Sequence, residues 1–138
     1  MNFVPLRLEP GVDLRRALEQ AVAADPDAGA FVVCGIGSLV DPRLRFANAT
    51  SETSLAGPFE IVSLSGTLTR DGAHLHMSVA DAHGTVLGGH VVYGNEVRTT
   101  AEVLLVQMAG WEMWRQPDPA TGFKELVVKR AESPRDTP

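Results

Sequence analysis

Three of the four histidines in this 138-residue chain flank one turn-like segment: His74-Leu75-His76 before Asp81-Ala82-His83-Gly84, and Gly88-Gly89-His90 after it. Side chains on a β-strand alternate with a period of two, so His74 and His76 share a face if they lie on a strand. A third imidazole returning on the next strand would complete a three-nitrogen set with one position open on a bound ion. Neutral imidazoles fit zinc first, with nickel, copper or iron as further options. Such an ion lowers the pKa of a bound water and supports hydrolysis when a carboxylate serves as general base or proton shuttle. Glu60 and Glu102 are the candidates, because each sits in an apolar strand-like segment where an unpaired charge is costly. The alternative for both is a hydrogen-bonded or inter-subunit structural carboxylate.

Hairpin register decides whether the histidines meet. If Asp81 pairs with Thr85 around a three-residue loop, His76 faces His90 and His74 lies two residues along on the same face. Directly opposed residues then have Cβ atoms about 4.5–5.5 Å apart. A loop one residue shorter turns His90 to the other face and dissolves the site. Gly88-Gly89 offers a bulge that adjusts this register, or room beside an ion. His83 occupies a turn position and reads as exposed. Without a metal, His74 and His76 are simply the solvent-facing half of an amphipathic strand.

The elements that would position these residues are mostly strands. Residues 3–8 alternate weakly and predict a first strand. Pro10-Gly11-Val12-Asp13 reads as a helix start, and Leu14, Ala17, Leu18, Ala21 and Val22 follow the spacing of an amphipathic helix. Asp25-Pro26-Asp27-Ala28-Gly29 stops it, since proline is excluded from helix interiors. Beyond Ala30 the pattern is β: Phe31-Val32-Val33-Cys34, Leu44-Arg45-Phe46-Ala47, Pro58 to Thr69, the histidine segment with Leu75, Met77 and Val79 opposite, Val86 to Tyr93, and Ala101 to Met108. Gly35-Ile36-Gly37-Ser38 predicts a tight turn, because the third glycine and helix of a dinucleotide loop are missing. Residues 48–54 read as a loop. Trp111 and Trp114 with Met108 and Met113 form an apolar cluster after the last core strand, suited to core or subunit packing. Ser63, Ser65 and Ser78 lack a nucleophile-elbow pattern. Sequential strands with short connections make the fold α+β around an antiparallel sheet.

Length predicts one domain, placed at residues 1–130, with 131–138 as a frayed tail. No apolar run approaches a membrane span and the N-terminus lacks a signal-peptide layout. The single cysteine, Cys34, forms no internal disulfide and reads as a buried thiol in a reducing cytoplasm. The net charge of −5, with scattered basic residues, disfavours autonomous nucleic-acid binding.

The stretch Gly57-Pro58-Phe59-Glu60-Ile61-Val62-Ser63-Leu64-Ser65-Gly66-Thr67-Leu68 resembles the plant-and-prokaryote-conserved (PPC) domain, whose plant members carry a similar Gly-Arg-Phe-Glu-Ile-Leu-Ser-Leu motif. The similarity extends through the histidine segments, Thr99-Thr100-Ala101-Glu102-Val103, Gly35-Ile36-Gly37-Ser38-Leu39 and the stretch 115–126, covering residues 4–130. It implies an antiparallel sheet with one main helix and a minor flanking helix, a homotrimer, and histidines able to hold a metal as in some prokaryotic members. Pro58 replaces the plant arginine, His83 stands where an acidic or polar turn residue is common, and the Arg-Gly-Arg AT-hook of plant members is missing. The expectation is a stand-alone, cytoplasmic, homotrimeric PPC protein binding a divalent metal, zinc foremost, through His74, His76 and His90. Its role is then a binding or regulatory module for a small-molecule ligand or protein partner. The alternatives are a small metal-dependent enzyme using Glu102 or Glu60, and a DNA-associated regulator acting through a partner or a trimer-made surface.

Overall fold

The computed structural model describes residues 2–23 and 28–131. The chain runs β1 (Asn2–Leu8), α1 (Leu14–Val22), β2 (Ala28–Val40), β3 (Arg43–Arg45), β4 (Thr53–Ser54), β5 (Pro58–Thr69), β6 (Gly72–Ala80), β7 (Val86–Val91), β8 (Glu96–Pro117) and β9 (Lys124–Arg130). All pair antiparallel in one sheet ordered β1-β8-β2-β5-β6-β7-β3-β4, with β9 paired to the far half of β8. This is the α+β architecture the strand pattern predicts. The minor flanking helix has no counterpart among the described residues. The proposed helix stop falls mainly at residues 24–27 and the tail at 132–138, both outside the described residues.

α1 forms where the periodicity places it. The Asp13 carboxylate caps it by accepting the Arg16 backbone N–H at 2.9 Å. Its buried stripe of Leu14, Leu18 and Val22 packs onto one face of the sheet, against a core that includes Leu68, Leu75, Val79 and Leu105. No helix among the described residues lies on the other sheet face. On that face Phe3, Val106, Phe31, Thr67 and His74 stand opposite one another in turn, forming a row across five strands.

Three local expectations change, and one bulge sets a burial pattern that alternation alone does not give. Gly35 to Ser38 continues β2 rather than turning. The glycines answer to packing: a Cβ on Gly35 would stand 2.9 Å from the Leu64 side chain, and one on Gly37 would strike the Thr100 carbonyl. Cys34 is exposed, not buried, because a register shift between Val32 and Cys34 turns it to the helix-free face. Phe59, Ile61 and Leu64 are all buried, because a bulge between Ile61 and Ser63 brings Leu64 to the core face and leaves Val62 outside. The strand expected to end at Met108 runs on to Pro117, placing Trp111 and Trp114 within β8.

One glycine ties this framework to the histidines. Gly66 has φ 145°, and a Cβ there would collide with the His74 carbonyl and lie 2.8 Å from the Leu75 Cα. β5 approaches β6 beside His74 only because that side chain is missing. Gly66→Ala is expected to lower unfolding stability by about 1–3 kcal/mol, read from chemical denaturation, since alanine adds both strain and a clash.

Candidate metal centre

The β6–β7 hairpin takes the first of its two possible registers. The Asp81 N–H donates to the Thr85 carbonyl at 3.1 Å, and the Asp81 carboxylate accepts the N–H groups of Thr85 and His83 at 2.8 Å each. Those donors, Thr85 foremost, hold the Asp81 carboxyl below its ordinary value. His83 sits exposed in the turn. Pairing then runs unbroken as Ala80↔Val86, Ser78↔Gly88 and His76↔His90.

This register brings His74, His76 and His90 together on the helix-free face. His76 Nε2 and His90 Nδ1 are 2.9 Å apart, with their rings edge to face at 4.3 Å between centroids. His74 stacks on His90 at 5.3 Å and meets His76 edge-on at 5.1 Å. One ligand nitrogen from each ring lies within 4.8 Å of the others. Tetrahedral zinc with bonds of about 2.0–2.1 Å spaces its nitrogens roughly 3.3–3.4 Å apart, and the observed spacings bracket that value. The donor set therefore fits a borderline-soft divalent cation, which would replace the proton shared by His76 and His90.

The surroundings favour the neutral form of His74 and His90. Partial burial, then the Arg115 guanidinium, hold His74 below the 6.5 of a free imidazole. Partial burial, then Arg45, do the same for His90. Arg45 arrives on β3, which pairs Arg45 with His90. Gly89 permits this approach, because a Cβ would stand 2.8 Å from the Arg45 carbonyl oxygen. There is no bulge at Gly88-Gly89; Gly89 clears room for β3. β3 is itself clamped by fully buried Asn95, whose Oδ1 accepts the Arg43 N–H at 2.9 Å while its Nδ2 donates to the Arg43 carbonyl at 3.0 Å.

Arg115 arrives on β8 and donates from Nη2 to the Thr67 hydroxyl at 2.7 Å. The β8–β9 turn brings Phe123, and the start of β9 brings Glu125, to the same place. These residues, with His74 and His90, border a cavity of about 560 Å³. Arg45, Arg115, Phe123 and Glu125 are not among the sequence-derived site candidates, although the family resemblance covers the stretch 115–126. Arg45 carries only the alternation of Leu44-Arg45-Phe46 as a signal, and Arg115, Phe123 and Glu125 carry no local one.

Glu60 and Glu102 lie on the same sheet face but not beside the histidines. Both are exposed, alternating with buried Phe59 and Ile61 and with buried Ala101 and Val103. Glu60 faces Ala80, four positions along β6 from His76, or about 13 Å at strand rise. Glu102 is three strands from β6, about 14 Å away at ordinary strand spacing. It borders a separate hollow of about 530 Å³ with Arg7, Cys34 and Ile36.

Comparison with known proteins agrees with this fold. The chain is 44% identical over 130 residues to the bifunctional protein GlmU of Synechococcus sp. strain JA-3-3Ab, a match covering 94% of this chain and 21% of that protein. The chain thus spans about a fifth of the length of the curated relatives it matches. A hypothetical protein from Salmonella enterica superposes with a TM-score of 0.89 at 39% identity, covering 94% of both chains. A metal-containing protein from Archaeoglobus fulgidus superposes with a TM-score of 0.79 at 26% identity, covering 92% of this chain and 94% of that one. The family model of the Plants and Prokaryotes Conserved (PCC) domain, the domain abbreviated PPC above, matches residues 1–109, and the chain belongs to that family.

Proposed function

We propose that the chain is a single-domain cytoplasmic module over residues 1–130 that binds one divalent ion per subunit, zinc foremost, and works as a homotrimer in a binding or regulatory role. The observation that carries this reading is the meeting of three imidazole nitrogens, all within 4.8 Å, with the proton affinity of His74 and His90 lowered by their surroundings. The metal-containing relative from Archaeoglobus fulgidus supports it. The helix-free face supports assembly: Phe3 is 60% exposed and Ile36 58%, with Phe31, Val33 and Val62 exposed beside them, an apolar surface that a second copy would cover. Within one chain neither Glu60 nor Glu102 reaches the histidines, which favours binding over hydrolysis. No helix among the described residues is long and apolar enough to cross a membrane.

Elemental analysis of untagged protein is expected to give one zinc per chain, lost in His76→Ala. Zinc at a hundredfold excess over its Kd should stabilise the wild type by about 2.7 kcal/mol and leave His76→Ala unchanged. Metal-free protein with no stoichiometric uptake and an unmoved melting temperature would end this reading.

Acid sensitivity follows from the two depressed imidazoles. The folded state resists protonation at His74 and His90, so on acidification the unfolded chain takes up those protons first. Their contribution is intact above the unfolded value near 6.5 and is lost as pH falls through the folded values. In chelator, the melting temperature of the wild type should fall more between about pH 7 and pH 5 than that of the His74→Gln/His90→Gln double variant. Parallel curves would exclude this source of acid sensitivity.

A further inference from the structure

We infer that the cavity over the histidines is the seat for an oxyanion group, phosphate or carboxylate, of a small-molecule ligand, gripped by Arg45 and Arg115. The inference rests on the metal reading in one respect: the open position of the histidine-bound ion would supply the third contact to the anion.

The charge of the lining is the first argument. The chain carries a net charge of −5, yet this cavity gathers Arg15, Arg45, Arg115 and Lys124 against Glu125. Arg15 is already engaged. Its Nε pairs with Glu19 at 3.0 Å, and its terminal nitrogens donate to the carbonyls of Val91 at 3.0 Å and Ala73 at 2.9 Å. Arg45 and Arg115 join none of the ion pairs among the described residues. Arg45 donates only a long 3.5 Å bond to the Ala49 carbonyl. Arg115 is half-buried, and its Nε is enclosed without a hydrogen-bond partner. Both guanidiniums border the cavity, and an oxyanion is the group that matches a guanidinium fork.

The shape is the second argument. At about 560 Å³ the cavity has the size of a small-molecule site, far beyond what one water or a bare phosphate fills. Phe123, 74% exposed at its border, offers an aromatic face for the body of a ligand whose anionic end lies at the arginines. A duplex would require a basic stripe along a convex or extended surface, whereas these cations converge in a hollow beside half-buried His90.

Calorimetric titration of the zinc-loaded protein with inorganic phosphate at low salt tests the seat. The wild type should bind phosphate. Arg45→Gln and Arg115→Gln, each saturated with zinc and checked for one ion per chain, should bind phosphate about tenfold more weakly. Arg115→Lys should fall between, keeping the charge but not the fork. No binding to the wild type, or equal binding by wild type and the Arg45→Gln/Arg115→Gln variant, overturns the inference and leaves the metal reading standing. If Arg115→Gln fails to fold for want of its bond to Thr67, Arg45→Gln decides alone. If no zinc is taken up, the metal reading falls. Phosphate binding by zinc-free wild type against Arg45→Gln then sustains or overturns the arginine seat. Displacement of phosphate by AT-rich duplex with a steep salt dependence would assign the anion to a nucleic-acid backbone and overturn the small-molecule assignment.

Discussion

The register of one hairpin governs the whole site. Side-chain direction on a strand has a period of two, so a slip of one residue between β6 and β7 would carry His90 from the histidine face to the core face. The Asp81 carboxylate opposes that slip by accepting two backbone N–H groups of the turn, closing the loop at Thr85 and at no shorter length. The core works in the same direction. Leu75, Met77 and Val79 are buried against α1 and its neighbours, so β6 cannot rotate without exposing all three. Local turn chemistry and burial thus specify one register, which is the consistency expected of a well-determined fold.

The site also depends on contacts made far along the chain. Asn95, in the connection after β7, holds β3 by both amide atoms, and β3 delivers Arg45 opposite His90. Gly66 on β5 lets that strand close on β6, and Thr67 beside it accepts the bond that seats Arg115. Each histidine-bearing strand is therefore propped by a neighbour whose own position is fixed by a buried polar bond or a missing side chain. Such props carry weight because strand contacts here are long in sequence separation and offer little local redundancy.

What was legible in the sequence follows from the range of the signals. The His-x-His face, the helix stripe of Leu14, Leu18 and Val22, and the Asp81 turn all rest on residues a few positions apart, and the structure places them as that spacing implies. Arg45 and Arg115 were invisible because their relation to the histidines is one of strand order: β3 returns to the edge of β7, and β8 brings Arg115 beside Thr67. Cys34 was misjudged for a different reason. An apolar run such as Phe31-Val32-Val33-Cys34 marks a strand with two apolar faces, and it cannot say which face the chain's own helix covers. Likewise Gly35-Ile36-Gly37-Ser38 reads as punctuation, although its glycines serve close strand packing. Glu60 and Glu102 looked like buried charges because their neighbours are apolar; alternation put those neighbours inside and the carboxylates outside.

The electrostatics of the site contain an opposition that gives the arrangement its logic. Partial burial, and after it Arg115 at His74 and Arg45 at His90, lowers the proton affinity of these imidazoles and favours the form that can coordinate a cation. The same positive charges repel any cation those imidazoles would hold, and partial burial weakens the screening that would soften the repulsion. An anion placed between the guanidiniums and the ion relieves that repulsion on both sides. The relief is a coupling free energy, so it must be reciprocal: whatever an anion adds to the affinity for the ion, the ion adds to the affinity for the anion. A protein built in this way would hold its metal loosely when the cavity is empty and firmly when it is filled. On the proposed reading, the three histidines would then report on the ligand through the affinity with which they hold an ion.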